Sequence, residues 1–93
     1  MVMEHVKGID KGKVVLYALS TCVWCKKTRK LLLDLGVNYS YVYVDLLKGK
    51  ERDEAIEKVK RHNVKCTFPT LIINDDVCIV GYKEKETKEA LGL

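Results

Sequence analysis

The stretch Val14-Val15-Leu16-Tyr17-Ala18-Leu19-Ser20-Thr21-Cys22-Val23-Trp24-Cys25-Lys26-Lys27 decides how this chain is read. It passes from a short β-branched and aromatic run, through two good capping residues, into a helical pattern. Cys22 and Cys25 therefore stand at the start of a helix. There the backbone carries partial positive charge and unpaired N–H groups, and both favour a thiolate over a thiol. Such surroundings can lower a cysteine pKa from about 8.5 to roughly 3.5–7.5. A second cysteine one turn further on can reach the first and close a disulfide. The local sequence suits dithiol–disulfide exchange.

Outward from this stretch the elements follow in order. Lys13 to Leu19 reads as a buried strand, and Val23 to Leu35 as a helix with Thr28, Leu31, Leu32 and Leu35 on its apolar side. Lys26, Lys27, Arg29 and Lys30 take the other side, and Gly36 supplies a stop. Tyr39 to Asp45 is a second strand. It follows a helix, so it should run parallel to the first through a right-handed crossover. Glu51 to His62 reads as a second helix with Ala55, Ile56 and Val59 inward. Thr70 to Ile73 and Val77 to Val80 are strands about the Asn74-Asp75-Asp76 turn, and a charged helix over about Lys83 to Leu91 closes the chain. The order β-α-β-α-β-β-α predicts an α/β domain over residues 13–93, with a four-stranded mixed sheet and helices on both faces. Residues 1–12, polar and holding Gly8 and Gly12, are expected to form a flexible lead-in.

Composition bounds the function. Ninety-three residues make one domain, and the 47% hydrophobic and 32% charged fractions are those of a soluble globular protein. No apolar run nears the ~18–20 residues of a membrane helix, and Met1 to Gly8 has no apolar core of a secretory signal. A cytoplasmic location is expected, where a Cys-x-x-Cys pair is more often catalytic or metal-binding than structural. The net charge of +4 is mild and spread out, and no aromatic cluster accompanies it, so neither nucleic acid nor membrane is expected as a partner. The chain is expected to be a monomer.

Three segments together resemble a known family. Cys22-Val23-Trp24-Cys25 after the first strand, Thr67-Phe68-Pro69-Thr70 before the third and Gly81-Tyr82 after the fourth are similar to glutaredoxins, within the thioredoxin-like fold. The likeness runs over residues 13–91. It implies that Pro69, the single proline, is the family's cis-proline near the active-site cysteines. It also implies that the backbone of Phe68 pairs with the bound thiol substrate in strand fashion, and that Thr67, Phe68, Pro69, Gly81, Tyr82 and Trp24 form the substrate-binding surface. Three departures stand out. Many glutathione-using members carry a lysine where this chain has Leu19, a second glycine where it has Tyr82, and Pro-Tyr where it has Val23-Trp24. Single-glycine endings also occur in glutaredoxin-like proteins served by a protein reductase, ribonucleotide reductase donors among them. The resemblance thus implies a protein-disulfide reductase whose donor is a disulfide reductase rather than glutathione. Glutathione dependence is the alternative.

On this reading Cys22 is the nucleophile that forms a mixed disulfide with substrate, and Cys25 displaces it. No cofactor is expected beyond the redox-active Cys22–Cys25 disulfide. Lys26 and Lys27 either support the thiolate or are a solvated helix face. Trp24 either covers the disulfide and meets an apolar substrate edge or is an exposed aromatic tolerated at a helix start. Zinc or an iron–sulfur cluster is the rival use of the cysteines. Zinc would need Cys66 and Cys78 as well, which belong to different elements. Cys78, mid-strand among apolar neighbours, reads as a small buried hydrophobe. Cys66, three residues before Pro69, should approach the active site and is either a regulatory thiol or an inert loop residue. Tyr17 reads as strand packing. The basic stretch Lys58 to Lys65 reads as a solvated face or, less simply, a docking surface for an acidic reductase.

Overall fold

A computed structural model describes residues 3–93 of the chain. The elements are β1 (Glu4–Val6), β2 (Val14–Ala18), α1 (Val23–Asp34), β3 (Tyr39–Tyr43), a 3-10 turn over Val44–Leu46, α2 (Lys50–His62), β4 (Thr70–Ile73), β5 (Val77–Val80) and α3 (Glu84–Ala90). They build one mixed sheet in the order β1-β3-β2-β4-β5. β2 and β3 are parallel, with Val15 opposite Ser40 and Ala18 opposite Tyr43, and the other three pairings are antiparallel. All five residues of β2 are buried, because this central strand is covered on both faces.

Alternation along β2 divides the interior in two. Val14, Leu16 and Ala18 face α1 and α3 and pack with Cys25, Leu32, Leu71 and Leu91. Val15 and Tyr17 face α2 and pack with Val42, Ala55, Val59 and Ile72. Helices therefore cover both faces. Each fully buried Leu, Ile or Val contributes about 1.5–3 kcal/mol to this arrangement. In α1 the buried side chains are Cys25, Thr28, Leu31 and Leu32, so the helix lays its cysteine-bearing first turn over the end of β2.

The structure corrects the sequence reading at several points. The sheet has five strands, not four. Glu4–Val6, part of the expected flexible lead-in, pairs antiparallel with β3, and Ile9 forms a further bridge to Val37. Residues 1 and 2 of that lead-in lie outside the described residues. β3 ends at Tyr43 instead of Asp45, because the chain tightens into a 3-10 turn that swings Asp45 back toward Ser20. Arg29 is not on the solvated side of α1. Its guanidinium lies 3.7 Å from the centre of the Tyr41 ring and donates to the Tyr43 hydroxyl at 2.8 Å. Leu35 and Ile56 are only half-buried.

Candidate active site

Cys22 is the N-cap of α1, in extended backbone just before the helix. Its sulfur takes the place usually filled by a Ser or Asp oxygen and accepts a hydrogen bond from the Cys25 amide at 3.2 Å. Its own amide donates to the Leu19 carbonyl, and its carbonyl accepts from Lys26, both at 3.2 Å. The sulfur is therefore fixed by the same bonds that start the helix. Cys22 is half-buried while Cys25, one turn inward, is fully buried. Burial, and next a hydrogen bond to the Cys22 sulfur, push the Cys25 thiol up to about 12. Around neutral pH Cys25 keeps its proton and Cys22 is the thiol that solvent can reach.

A clasp holds the approach to Cys22. The Asp45 carboxylate accepts from the Ser20 amide at 2.9 Å and from the Ser20 hydroxyl. The hydroxyl bond, and with it the amide bond, keeps the Asp45 carboxyl below its ordinary value.

A groove of about 290 Å³ is lined by Trp24, Phe68, Pro69, Gly81 and Tyr82. Its residues come from three places far apart in sequence: the helix start, the loop before β4 and the exit from β5. The Phe68–Pro69 bond is cis. The Gly81 amide donates to the Pro69 carbonyl at 2.9 Å, which ties two of these segments together. Gly81 has φ +84°, a conformation that side chains rarely adopt. Trp24, 54% exposed, stacks on Tyr82 with ring centres 6.0 Å apart and planes inclined by 27°. Lys27 places its ammonium 4.6 Å from the Trp24 ring centre. Trp24 is thus part of a groove wall and not an isolated surface aromatic.

The other expected site residues lie elsewhere. Thr67 does not line the groove; its carbonyl and hydroxyl turn toward Asn63. Cys66, with φ +51°, packs against the cluster on the α2 face, whereas Cys22 packs against the opposite one. Cys78 is half-buried at the sheet edge opposite Ile72, and burial raises its thiol. Among the described residues no three His, Cys, Asp or Glu side chains converge as metal ligands. Tyr17 is buried in the core, and burial foremost raises its hydroxyl, with Asp75 adding to it. Lys58, Arg61 and His62 border a larger cavity of about 610 Å³ under α2, whose lining includes none of the groove residues.

Two features escaped the sequence reading. Asn63, at the end of α2, sends its amide to the Thr67 carbonyl, the Thr67 hydroxyl and the Thr70 hydroxyl at 3.2, 3.0 and 3.2 Å. The Ser20–Asp45 clasp is the other. An Asn directly after a helical pattern was a visible C-terminal signal, but it hid the inward side chain; Asp45 gave no signal at all.

The family model described as Glutaredoxin matches residues 14–78. The chain belongs to the glutaredoxin family. Solved glutaredoxin structures share its fold closely. The glutaredoxin of Methanosarcina mazei Go1 is 63% identical with a TM-score of 0.94, covering 98% of this chain and 88% of that one. The methanoredoxin of Methanosarcina acetivorans is 57% identical with a TM-score of 0.93, covering 100% and 97%. Rat mitochondrial glutaredoxin-2 is 30% identical over 67 residues, 71% of this chain but 41% of the relative, so the chain spans well under half the length of such relatives. Family membership establishes the thioredoxin-like α/β fold. Trp24, from between the two cysteines, and the Phe68–Pro69 loop line one groove. No helix among the described residues is long and apolar enough to cross a membrane.

Proposed function

We propose that this glutaredoxin reduces protein disulfides with Cys22 and Cys25 and is itself re-reduced by a protein disulfide reductase. The observation that carries this reading is the groove, in which Trp24 from between the cysteines faces Phe68, Pro69, Gly81 and Tyr82. Its walls are apolar and open, as an extended peptide segment requires. The Cys22 thiolate attacks one sulfur of the substrate disulfide; a mixed disulfide forms and one substrate thiolate leaves and takes up a proton. Cys25 then gives up its proton and attacks the Cys22 sulfur, and the second substrate thiol departs. Two electrons have moved, and the pair is left as a disulfide. That disulfide holds the electrons' vacancy, so the cycle needs no resident cofactor, zinc or cluster. A reducing compartment such as the cytoplasm suits it.

The donor assignment rests on Tyr82. Its ring, stacked on Trp24, stands directly after Gly81, where many glutathione-using relatives have a second glycine. Leu19 likewise offers no charge to a glutathione carboxylate. The test has two parts. Cys25→Ser should trap a mixed disulfide with a disulfide-bonded peptide through Cys22, and Cys22→Ser should be inactive. The oxidised wild-type chain is then offered millimolar glutathione, a pyridine-nucleotide thioredoxin reductase and a ferredoxin-linked reductase. Faster reduction by either reductase supports the reading; full turnover by glutathione alone replaces its donor half.

A further inference from the structure

The loop from residue 64 to residue 69 is closed by a single residue, Asn63. The Asn63 carbonyl accepts from the Cys66 amide at 2.9 Å, and its side-chain amide reaches the carbonyl and hydroxyl of Thr67. The Thr70 hydroxyl, fully buried, donates to the same Thr67 carbonyl at 2.7 Å and accepts from Asn63. Asn63 is 9% exposed. The Thr67 carbonyl therefore receives two donors from the interior, and the direction of the Thr67–Phe68 peptide is fixed. This peptide is trans, so its N–H points away from its C=O. With the carbonyl drawn into the protein, the Phe68 N–H is turned away from the buried network, and Phe68 itself lines the groove. Among the described residues neither the N–H nor the C=O of Phe68 has a hydrogen-bond partner. Unpaired backbone groups are rare where water is scarce, and a pair of them at a groove wall is ready for another chain.

We infer that Asn63 and Thr70 are positioning residues that aim the Phe68 backbone at the substrate, so that peptide disulfides are preferred over small disulfides with no backbone to pair. The inference rests on the disulfide-reductase reading and adds to it the residues that set this preference. Neither touches substrate. Both act through the Thr67–Phe68 peptide, by denying it the alternative in which the carbonyl faces the groove.

The test compares two second-order rates for the reduced chain, one with a disulfide-bonded peptide and one with bis(2-hydroxyethyl) disulfide. In Asn63→Ala the ratio of peptide rate to small-disulfide rate should fall about tenfold, the usual effect of losing one well-placed hydrogen bond. In Thr70→Val, which keeps the side chain's shape, it should fall in the same direction by a smaller factor. The Cys22–Cys25 reduction potential should stay at the wild-type value in both, which general damage to the site would not allow. Thr70→Val carries the test if Asn63→Ala does not fold. An unchanged ratio in the folded variants overturns the inference, as does an equal loss on both substrates. A wild-type chain that reduces neither disulfide instead refutes the proposed activity, a separate outcome read in the same assay.

Discussion

The amide nitrogen of Cys25 lies 3.2 Å from the sulfur of Cys22, so the helix that carries one cysteine is capped by the other. The bond makes the two sulfurs unequal. One faces solvent at the helix end, and the other is enclosed beneath it with its thiol pushed up to about 12. Limiting iodoacetamide at neutral pH should therefore label Cys22 ahead of Cys25. Fragment mass spectrometry of the peptide holding both residues reads the outcome directly, and a predominant adduct on Cys25 would contradict the structure.

The raised Cys25 thiol also sets a pH dependence. The unfolded thiol titrates near 8.5 and the folded one near 12, so between these values the native state holds the extra proton. Stability then falls as pH rises, by at most about 1.4 kcal/mol per pH unit for one proton. The contribution is complete below the lower value and gone above the upper. Denaturant melts of the reduced chain between pH 8 and pH 11 should show a component of this slope that Cys25→Ser removes.

Asp45 gives the opposite sign. Its carboxyl is held low, first by the Ser20 hydroxyl, so its contribution is present above the unfolded value of about 3.9 and is lost as pH falls through the folded one. Asp45→Ala should be less stable than wild type at neutral pH, and the gap should close toward pH 2. Because Asp45 is exposed, the gap will be modest. Equal stabilities at neutral pH would mean that the clasp contributes nothing.

Arg29 tests whether a charge within α1 is structural. It sits against Tyr41 and donates to Tyr43, on the side of the helix that faces the sheet. Arg29→Met should cost about 1–2 kcal/mol in denaturant unfolding and leave the disulfide-exchange rate unchanged. Lys27→Met, which removes an exposed cation from Trp24, should cost less than half as much.

The groove makes a prediction of its own. Tyr82→Ala removes the ring stacked on Trp24 and should weaken peptide-disulfide binding by about five- to tenfold in KM, since an aromatic contact of this kind is worth about 0.5–1.5 kcal/mol. The variant should also be reduced faster by glutathione if Tyr82 is what obstructs it. Steady-state kinetics with each substrate separates the two effects.

Much of this molecule was legible in its sequence because the signals were local. The strand over Thr70–Ile73 and that over Val77–Val80 fall where two short apolar, β-branched runs and the Asn-Asp turn between them put them. α1 begins directly after Cys22 as the local pattern predicts, but the cap is the Cys22 sulfur and not Ser20 or Thr21; Ser20 is drawn instead to Asp45, a partner distant in sequence. Arg29 was misplaced because helical spacing gives an angle around the helix and says nothing of what stands opposite. The face it shares with Leu32 is covered by three tyrosines that alternate along β3, and these accept a guanidinium where leucines would not. β1 was missed for a related reason. Three residues carry no period, and Glu4–Val6 is a strand only because the edge of β3 was open to pair with it.

Local chemistry along the chain sets the order of elements from β2 onward, the α/β class and the placing of two thiols at one helix start. Each follows from capping, periodicity and turn chemistry, which act over a few residues. Long-range packing alone brings Trp24, Phe68, Pro69, Gly81 and Tyr82 into one groove, puts Cys66 and Cys22 against opposite core clusters, and seats the Asn63 amide on Thr67. Those relationships are set by the register of β2 against β4 and of β4 against β5. A one-residue slip in either would leave every local pattern intact and would shift the loop before β4 against the exit of β5, taking Phe68 and Pro69 out of line with Gly81 and Tyr82.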